Sequence, residues 1–367
     1  MKYFFLVGEA SGDMHAAALM EELRKQDPEA RFVGLGGEKM RQAGAKICQD
    51  YTKMAFMGVI AVLRNAGQIK ENFRIARQAL MDEQPDVLVL VDYPSFNLKM
   101  ASFARKNLPG IKIVYYIPPK VWAWKTHRIH RIAKLCDEVL GIFPFEPDFY
   151  AKYGYKCTYI GNPTAEAIAK WQTAHPQEQR AEVIALLPGS RKGEINNCLP
   201  KMLKAAKEWG LPMTIAAAPG FEDDFYQPYL SENVSLTRNT WELLATAKAA
   251  LVTSGTATLE TALLNCPQLS VYRIYTSRWL GWLKPFIFKI PYFTLVNIVA
   301  GRQVIYEAIG PKFSTSNIRR ELRKLLTDKE YIKNMLADYK HIQSLLGDNR
   351  VAQTAAQRIR MLTQSPQ

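Results

Sequence analysis

Residues 251–260 read LVTSGTATLE, an apolar run that stops in small hydroxyl-bearing residues and restarts as a helical pattern at 262–265. A buried parallel strand, a tight turn and a helix satisfy that pattern, which narrows the fold to an α/β sheet covered by helices. At such a junction the unpaired amides and positive dipole end of the helix lie at the carboxyl edge of the sheet. Phosphate can bind there without a metal. Gly255 permits close approach of a ligand, Ser254, Thr256 and Thr258 add hydroxyl donors, and Glu260 offers two acceptor oxygens suited to a vicinal diol such as ribose. An ordinary helix start is the alternative. A capping box, however, would need a hydroxyl at position 257, which is Ala, so capping leaves the Glu260 carboxylate unexplained.

The same grammar recurs along the chain. Residues 3–7 form an apolar run that breaks at GEASGD, 8–13, before helix-favouring residues at 14–26. Glu9, Ser11 and Asp13 then stand at a sheet edge, unless Ser11 or Asp13 simply caps the helix. The absence of GxGxxG argues against a dinucleotide site. RFVGLGG at 31–37 is a second short strand and turn. PDVLVLVDYPSFN, 85–97, has the continuous aliphatic content of a doubly covered strand and places Asp92 at its carboxyl end. IKIVYYIPPKVWAWK, 111–125, repeats the device, with Trp122 and Trp124 after the strand. Two further strands lie in 137–163, and Gly161-Asn162-Pro163 begins the passage to a second domain. A new series of strands starts at 182–195, with Ser190, Arg191 and Lys192 crowded at the first turn, and continues through 212–220, 251–260 and 267–273. The predicted organisation is a domain at 1–164, a second at 165–345, and a C-terminal helix at 346–367 that packs on the first domain or on a partner.

The 367 residues, 48% hydrophobic, suffice for two separate cores. A net charge of +14 implies an anionic partner: nucleic acid, an acidic membrane surface or a phosphorylated substrate. Five scattered cysteines without CxxC argue against a disulfide framework and point to a reducing cytoplasm. The first apolar run reads as a strand rather than a signal peptide, and no run reaches transmembrane length. His127 and His130 share a helical face, but no carboxylate or cysteine pair completes a zinc site.

Two stretches are more apolar than their surroundings explain. MAFMGVIAVLRN, 54–65, leads into a basic segment and is either a core helix or a surface for a bilayer or acyl chain. RWLGWLKPFIFKIPYF, 278–293, is broken by prolines and reads as an interfacial anchor, an oligomer contact or a buried linker.

Taken in order, GEASGD, FMG at 56–58, PPKVWAWK at 118–125, LPGSR at 187–191, SGTATLE at 254–260 and NIVAGR at 297–302 resemble the lipid-A-disaccharide synthase family over nearly the whole chain. The resemblance implies a GT-B-like fold, two Rossmann-like parallel α/β domains facing across a cleft. It implies inverting transfer of 2,3-diacylglucosamine from UDP-2,3-diacylglucosamine to the 6-hydroxyl of 2,3-diacylglucosamine 1-phosphate (lipid X), forming lipid A disaccharide 1-phosphate and UDP. Donor-side residues implied are Ser190, Arg191, Ser254, Gly255, Thr256, Thr258, Glu260, Asn297 and Arg302. Acceptor-side residues are Ser11, Gly12, Asp13, Met57, Gly58, Asn97 and Trp122. No cofactor, metal or nucleic acid is called for. Acylated substrates and positive charge together imply peripheral binding to an anionic membrane, the inner face of the inner membrane, with room for a homodimer.

The chain departs from its family at three positions. DYPSFN replaces the common D-x-P-D-F-N, so Ser95 stands where an aspartate is usual; Ala61 replaces a glutamate, and Asn162 a histidine. An inverting displacement needs a base near the acceptor hydroxyl, and a serine hydroxyl stays protonated at neutral pH. Asp92 is the first candidate and Glu9 the second. The alternative for Asp92 is a hydrogen bond to its own loop. Rival functions are a UDP-sugar epimerase on the same fold and a basic non-enzymatic lipid- or nucleic-acid-binding module.

Overall fold

The computed structural model describes residues 1–53, 66–176, 179–253, 255–273, 291–347 and 350–364. The stretch 54–65, with Met57, Gly58 and Ala61, lies outside them, as do Ser254 and most of 278–293. The chain divides into two compact units, Met1–Asn162 with Asn349–Gln367, and Pro163–Asp348.

The first unit is built on β1 (Lys2–Val7), β2 (Arg31–Gly36), β3 (Lys46–Asp50), β4 (Val87–Val91), β5 (Lys112–Tyr116), β6 (Glu138–Gly141) and β7 (Thr158–Tyr159). They pair in the order β3-β2-β1-β4-β5-β6-β7, parallel throughout. Successive strand residues point to opposite faces, so β1 feeds two cores: Phe4 and Leu6 join Leu88, Leu90 and Tyr115 on one side, while Tyr3, Phe5 and Val7 join Val87, Val89 and Val91 on the other. Burial on both faces is why VLVLV at 87–91 is uninterrupted aliphatic. The last helix, Val351–Gln364, packs Val351, Ala355, Ala356 and Ile359 into the second of these cores with Leu19, Met20 and Leu23 of the helix Ala10–Gln26. Arg358 anchors it to Glu138 at 2.9 Å.

The second unit is built on β8 (Ala181–Leu187), β9 (Met213–Ala216), β10 (Val234–Thr237), β11 (Ala247–Val252), β12 (Gln268–Tyr272) and β13 (Glu307–Ile309), again parallel, in the order β10-β9-β8-β11-β12-β13. In each sheet the first strand sits beside the fourth, where the winding reverses direction. Loops on either side of that reversal diverge, and a crevice opens at the carboxyl ends of the strands. The crevices lie after β1 and β4 in the first unit and after β8 and β11 in the second.

Three strands have no counterpart in the sequence reading: β3, β10 and β13. All are sheet edges. An edge strand is shielded incompletely, and KICQD at 46–50 is at most half-buried, so it lacks the apolar run that marks an interior strand.

Candidate active site

In the second unit a cavity of about 430 Å³ lies at the carboxyl ends of β8, β9 and β11. Three helices begin at its rim: Lys192–Ala206, Thr240–Thr246 and Thr256–Leu263, with N-cap residues Arg191, Asn239 and Gly255. None of these residues caps its helix with a side-chain hydrogen bond. Dipole ends converging on one cavity favour an anion. Gly255 has φ +143°, a region side chains rarely enter, and a Cβ there would meet open space. Its value is therefore conformational.

Ser190, Gly255, Thr256 and Glu260 line this cavity together. Glu260 is half-buried; burial pushes its carboxyl above the ordinary range, and a hydrogen bond from Trp241 pulls it part of the way back. Arg191 is highly exposed beside Glu194, 3.6 Å away. Trp241 and Glu194 also line the cavity, and the sequence reading missed both. Glu194 had a detectable signal: as the third helical residue after Arg191 it reaches back to accept from the Ser190 amide at 3.2 Å.

Other donor-side candidates hold the scaffold. Thr258 is fully buried and donates to the Gly255 carbonyl at 2.9 Å, closing the turn. Asn297 is also fully buried. Its oxygen accepts from Val304 and Ile305 amides at 2.7 and 2.9 Å, and its nitrogen donates to the Ile305 carbonyl and Glu307. Arg302 forms a two-pronged ion pair with Asp338, one contact at 2.8 Å. None of the three lines the cavity.

In the first unit, Glu9 and Asp92 flank the crevice after β1 and β4. Asp92 and Tyr93 take φ of +42° and +41°, and β-branched Ile117, after β5, takes +58°. Each such residue costs on the order of 1–3 kcal/mol, and strain of this kind collects at functional sites. Asn97 holds the arrangement. Fully buried, it donates to the carbonyls of Asp92, Val91 and Leu6 at 2.8, 3.1 and 3.3 Å, tying the ends of β1 and β4 together. Tyr115 adds a bond to the Asp92 carbonyl at 2.7 Å. The Asp92 side chain is half-buried, its carboxyl raised by burial and by the negative charge of Glu9, and lowered by Lys120 and a hydrogen bond from the Tyr93 amide. Two carboxylates with different surroundings are the arrangement from which acid–base chemistry is drawn.

The helix after β1 begins at Ala10, earlier than its composition suggests, so Ser11, Gly12 and Asp13 occupy its first turn. Ser11 donates to Glu9. Asp13 is buried and caps a different helix, accepting from the amides of Gly37, Lys39 and Met40 at 2.7, 2.9 and 3.3 Å. Gly12 is buried against Val7 and Val91. Trp122 is buried too, donating to Glu146 at 3.2 Å. Asp13, Gly12, Asn97 and Trp122 are thus buried and spend their polar groups within the first unit. Ser95, in place of the family's aspartate, accepts from Arg128 at 3.2 Å. Among the described residues no group of three His, Cys, Asp or Glu side chains is placed to hold a metal ion.

Two doubly wound units, each with a crevice at its switch point, make the GT-B fold, shared by glycosyltransferases and UDP-sugar epimerases. The chain belongs to the lipid-A-disaccharide synthetase family, whose model matches residues 3–359. It is 32% identical over 345 residues to the lipid-A-disaccharide synthase of Geobacter sulfurreducens, covering 90% of this chain and 89% of that one. To the Myxococcus xanthus enzyme of the same name it is 35% identical over 341 residues, 87% and 86% of the two chains. Among solved structures, the UDP-GlcNAc 2-epimerase of Neisseria meningitidis bound to UDP-GlcNAc superposes with a TM-score of 0.64 at 16% identity, over 98% of this chain and 100% of that one. The calicheamicin glycosyltransferase CalG4 gives 0.61 at 14% identity, over 98% and 97%.

Proposed function

We propose that the protein moves 2,3-diacylglucosamine from its UDP donor to the 6-hydroxyl of 2,3-diacylglucosamine 1-phosphate with inversion. The unit Pro163–Asp348 holds the donor, and the unit Met1–Asn162 with Asn349–Gln367 the acceptor. The observation that carries this reading is the cavity ringed by three uncapped helix starts with a carboxylate on its wall. Amides of the Thr256–Leu263 helix and the Arg191 guanidinium stabilise the diphosphate as it leaves; Glu260 accepts from ribose hydroxyls. Ser190 and Thr256 contribute hydroxyls. At the acceptor, Asp92 takes the proton of the attacking hydroxyl while the oxygen bonds to the anomeric carbon and the bond to the UDP phosphate breaks. Glu9, on the loop after β1 and acting on Asp92 through its charge, is the second candidate.

Peripheral binding to an anionic leaflet is part of the same reading. A groove of about 830 Å³ between the helices Ala66–Glu83 and Pro94–Asn107 carries Lys70, Arg74, Arg77 and Lys99 around Phe73 and Phe103. Arg74 is paired with Glu71, leaving the other three cations as the groove's positive excess. No helix among the described residues is long and apolar enough to cross a membrane. Charge beside half-buried aromatic surface suits phospholipid headgroups. Purified protein incubated with both acylated sugars and analysed by mass spectrometry tests the reaction: UDP and an acylated disaccharide phosphate are expected. An altered UDP-sugar formed without acceptor would replace this reading with an epimerase.

A further inference from the structure

Three arginines lie between the helices Pro94–Asn107 and Arg128–Leu135, and they are held differently. Arg105 is spent on the fold: it pairs with Asp137 and donates to the carbonyls of Leu135 and Ile111 at 2.9 and 2.8 Å. Arg131 donates to the Leu98 carbonyl and the Ser102 hydroxyl at 3.1 and 3.0 Å. Arg128 makes a single side-chain bond, to the Ser95 hydroxyl at 3.2 Å. Neither Arg128 nor Arg131 has a carboxylate partner among the described residues.

A guanidinium carries five donors in a planar fork and stays charged throughout the working pH range. Arg128 is half-buried, and a hydroxyl orients its fork without neutralising it, so its charge and most of its donors stay open to an anion. Such a fork matches two oxygens of a phosphate. Ser95 fixes where that anion would sit. It lies three residues after Asp92, at the start of Pro94–Asn107, and three residues of chain span at most about 11 Å. A hexose ring separates the 6-hydroxyl of the acceptor from its 1-phosphate, so the group that binds phosphate has to stand near the base without touching it.

We propose that Arg128 binds the 1-phosphate of the acceptor and thereby selects phosphorylated over unphosphorylated acceptors, with Ser95 aiming its guanidinium. This rests on the transfer reaction proposed above. The basic groove assigned to headgroups lies between Pro94–Asn107 and Ala66–Glu83, whereas Arg128 lies between Pro94–Asn107 and Arg128–Leu135, so the two roles are separable.

The test is UDP release with 2,3-diacylglucosamine 1-phosphate and with 2,3-diacylglucosamine, both in detergent micelles, read as the ratio of kcat/KM for the two acceptors. The unaltered protein should prefer the phosphorylated one. In Arg128→Met the ratio should fall roughly 10- to 150-fold, the range for hydrogen bonds to a charged group, with the loss in KM for the phosphorylated acceptor. Arg128→Lys keeps the charge but not the fork and should recover part of the preference. Arg131→Met removes the same charge from the same helix, beside Ser102, which lies about 10 Å along the neighbouring helix from Ser95, and should keep the preference. A preference that survives Arg128→Met overturns the proposal and leaves Arg128 a solvated cation. An equal loss in Arg131→Met overturns it too, because the preference would then follow overall charge. Flotation of Arg128→Met with phosphatidylglycerol vesicles should match that of the parent; a loss of flotation in step with the loss of preference would assign Arg128 to headgroups instead. UDP release without any preference in the unaltered protein overturns this proposal alone, whereas no UDP release with either acceptor removes the transferase reading and the proposal with it.

Discussion

Replacing Glu260 with Ala should weaken UDP binding without weakening the fold. The carboxylate lies on the wall of the cavity, half-buried, with one hydrogen bond from Trp241. That bond leaves acceptor capacity for two ribose hydroxyls. Hydrogen bonds to a charged acceptor are worth about 1.5–3 kcal/mol, so the dissociation constant should rise roughly 10- to 150-fold. Stability should change little, because the burial that raises the Glu260 carboxyl is itself unfavourable and disappears with the side chain, offsetting the lost Trp241 bond of about 1 kcal/mol. Calorimetric titration with UDP and with 2′,3′-dideoxy-UDP separates ribose recognition from a general disturbance. The unmodified protein should discriminate between the two ligands, and Glu260→Ala should not. Acidification toward the raised carboxyl range should mimic the substitution, since a protonated carboxyl is a poorer acceptor. A folded variant that binds UDP normally, or still discriminates between the ligands as the parent does, would refute the reasoning.

Gly255→Ala should destabilise the protein by about 1–3 kcal/mol in chemical denaturation, because φ of +143° strains any side chain although the Cβ meets nothing. UDP affinity should fall with it; unchanged stability would mean the turn relaxes freely. Asp92→Asn should lower turnover about 100- to 10,000-fold at near-constant UDP affinity, measured by UDP release. Glu146 contributes a pH dependence of known sign: its carboxyl titrates near 7 in the folded protein against an ordinary 4.5, so its stabilising protonated form is fully present below 4.5 and lost as pH rises through 7. The difference is about 3 kcal/mol, and the gain in melting temperature between pH 8 and 5 should shrink in Glu146→Gln. Charge reversal of Arg77 and Lys99 in the basic groove should weaken flotation with anionic vesicles by at least about 1 kcal/mol per residue and reduce its salt sensitivity; unaltered flotation would place membrane contact elsewhere.

Interior strands were legible in the sequence because a parallel strand covered on both faces must be aliphatic along its length, as at 87–91, and must end in a turn that a helix can follow, as at 251–260. From that alternation the α/β class followed, and ordered motifs supplied the family. Edge strands were not legible, since half-shielded residues carry no such constraint. Nor could the sequence separate a ligand-facing polar residue from one that braces the scaffold. Asn97, Asp13, Thr258 and Asn297 stand in the motifs beside Asp92, Glu9, Thr256 and Glu260, with the same chemistry available to each. Their roles depend on partners far along the chain: Asp13 meets the amides of 37–40, and Asn97 meets Leu6. Glu146 and Trp122, 24 residues apart, form a buried clamp for the same reason. A buried polar group must find partners wherever packing brings them, and the tertiary structure alone decided which donors and acceptors were spent within the protein and which were left facing the cavities.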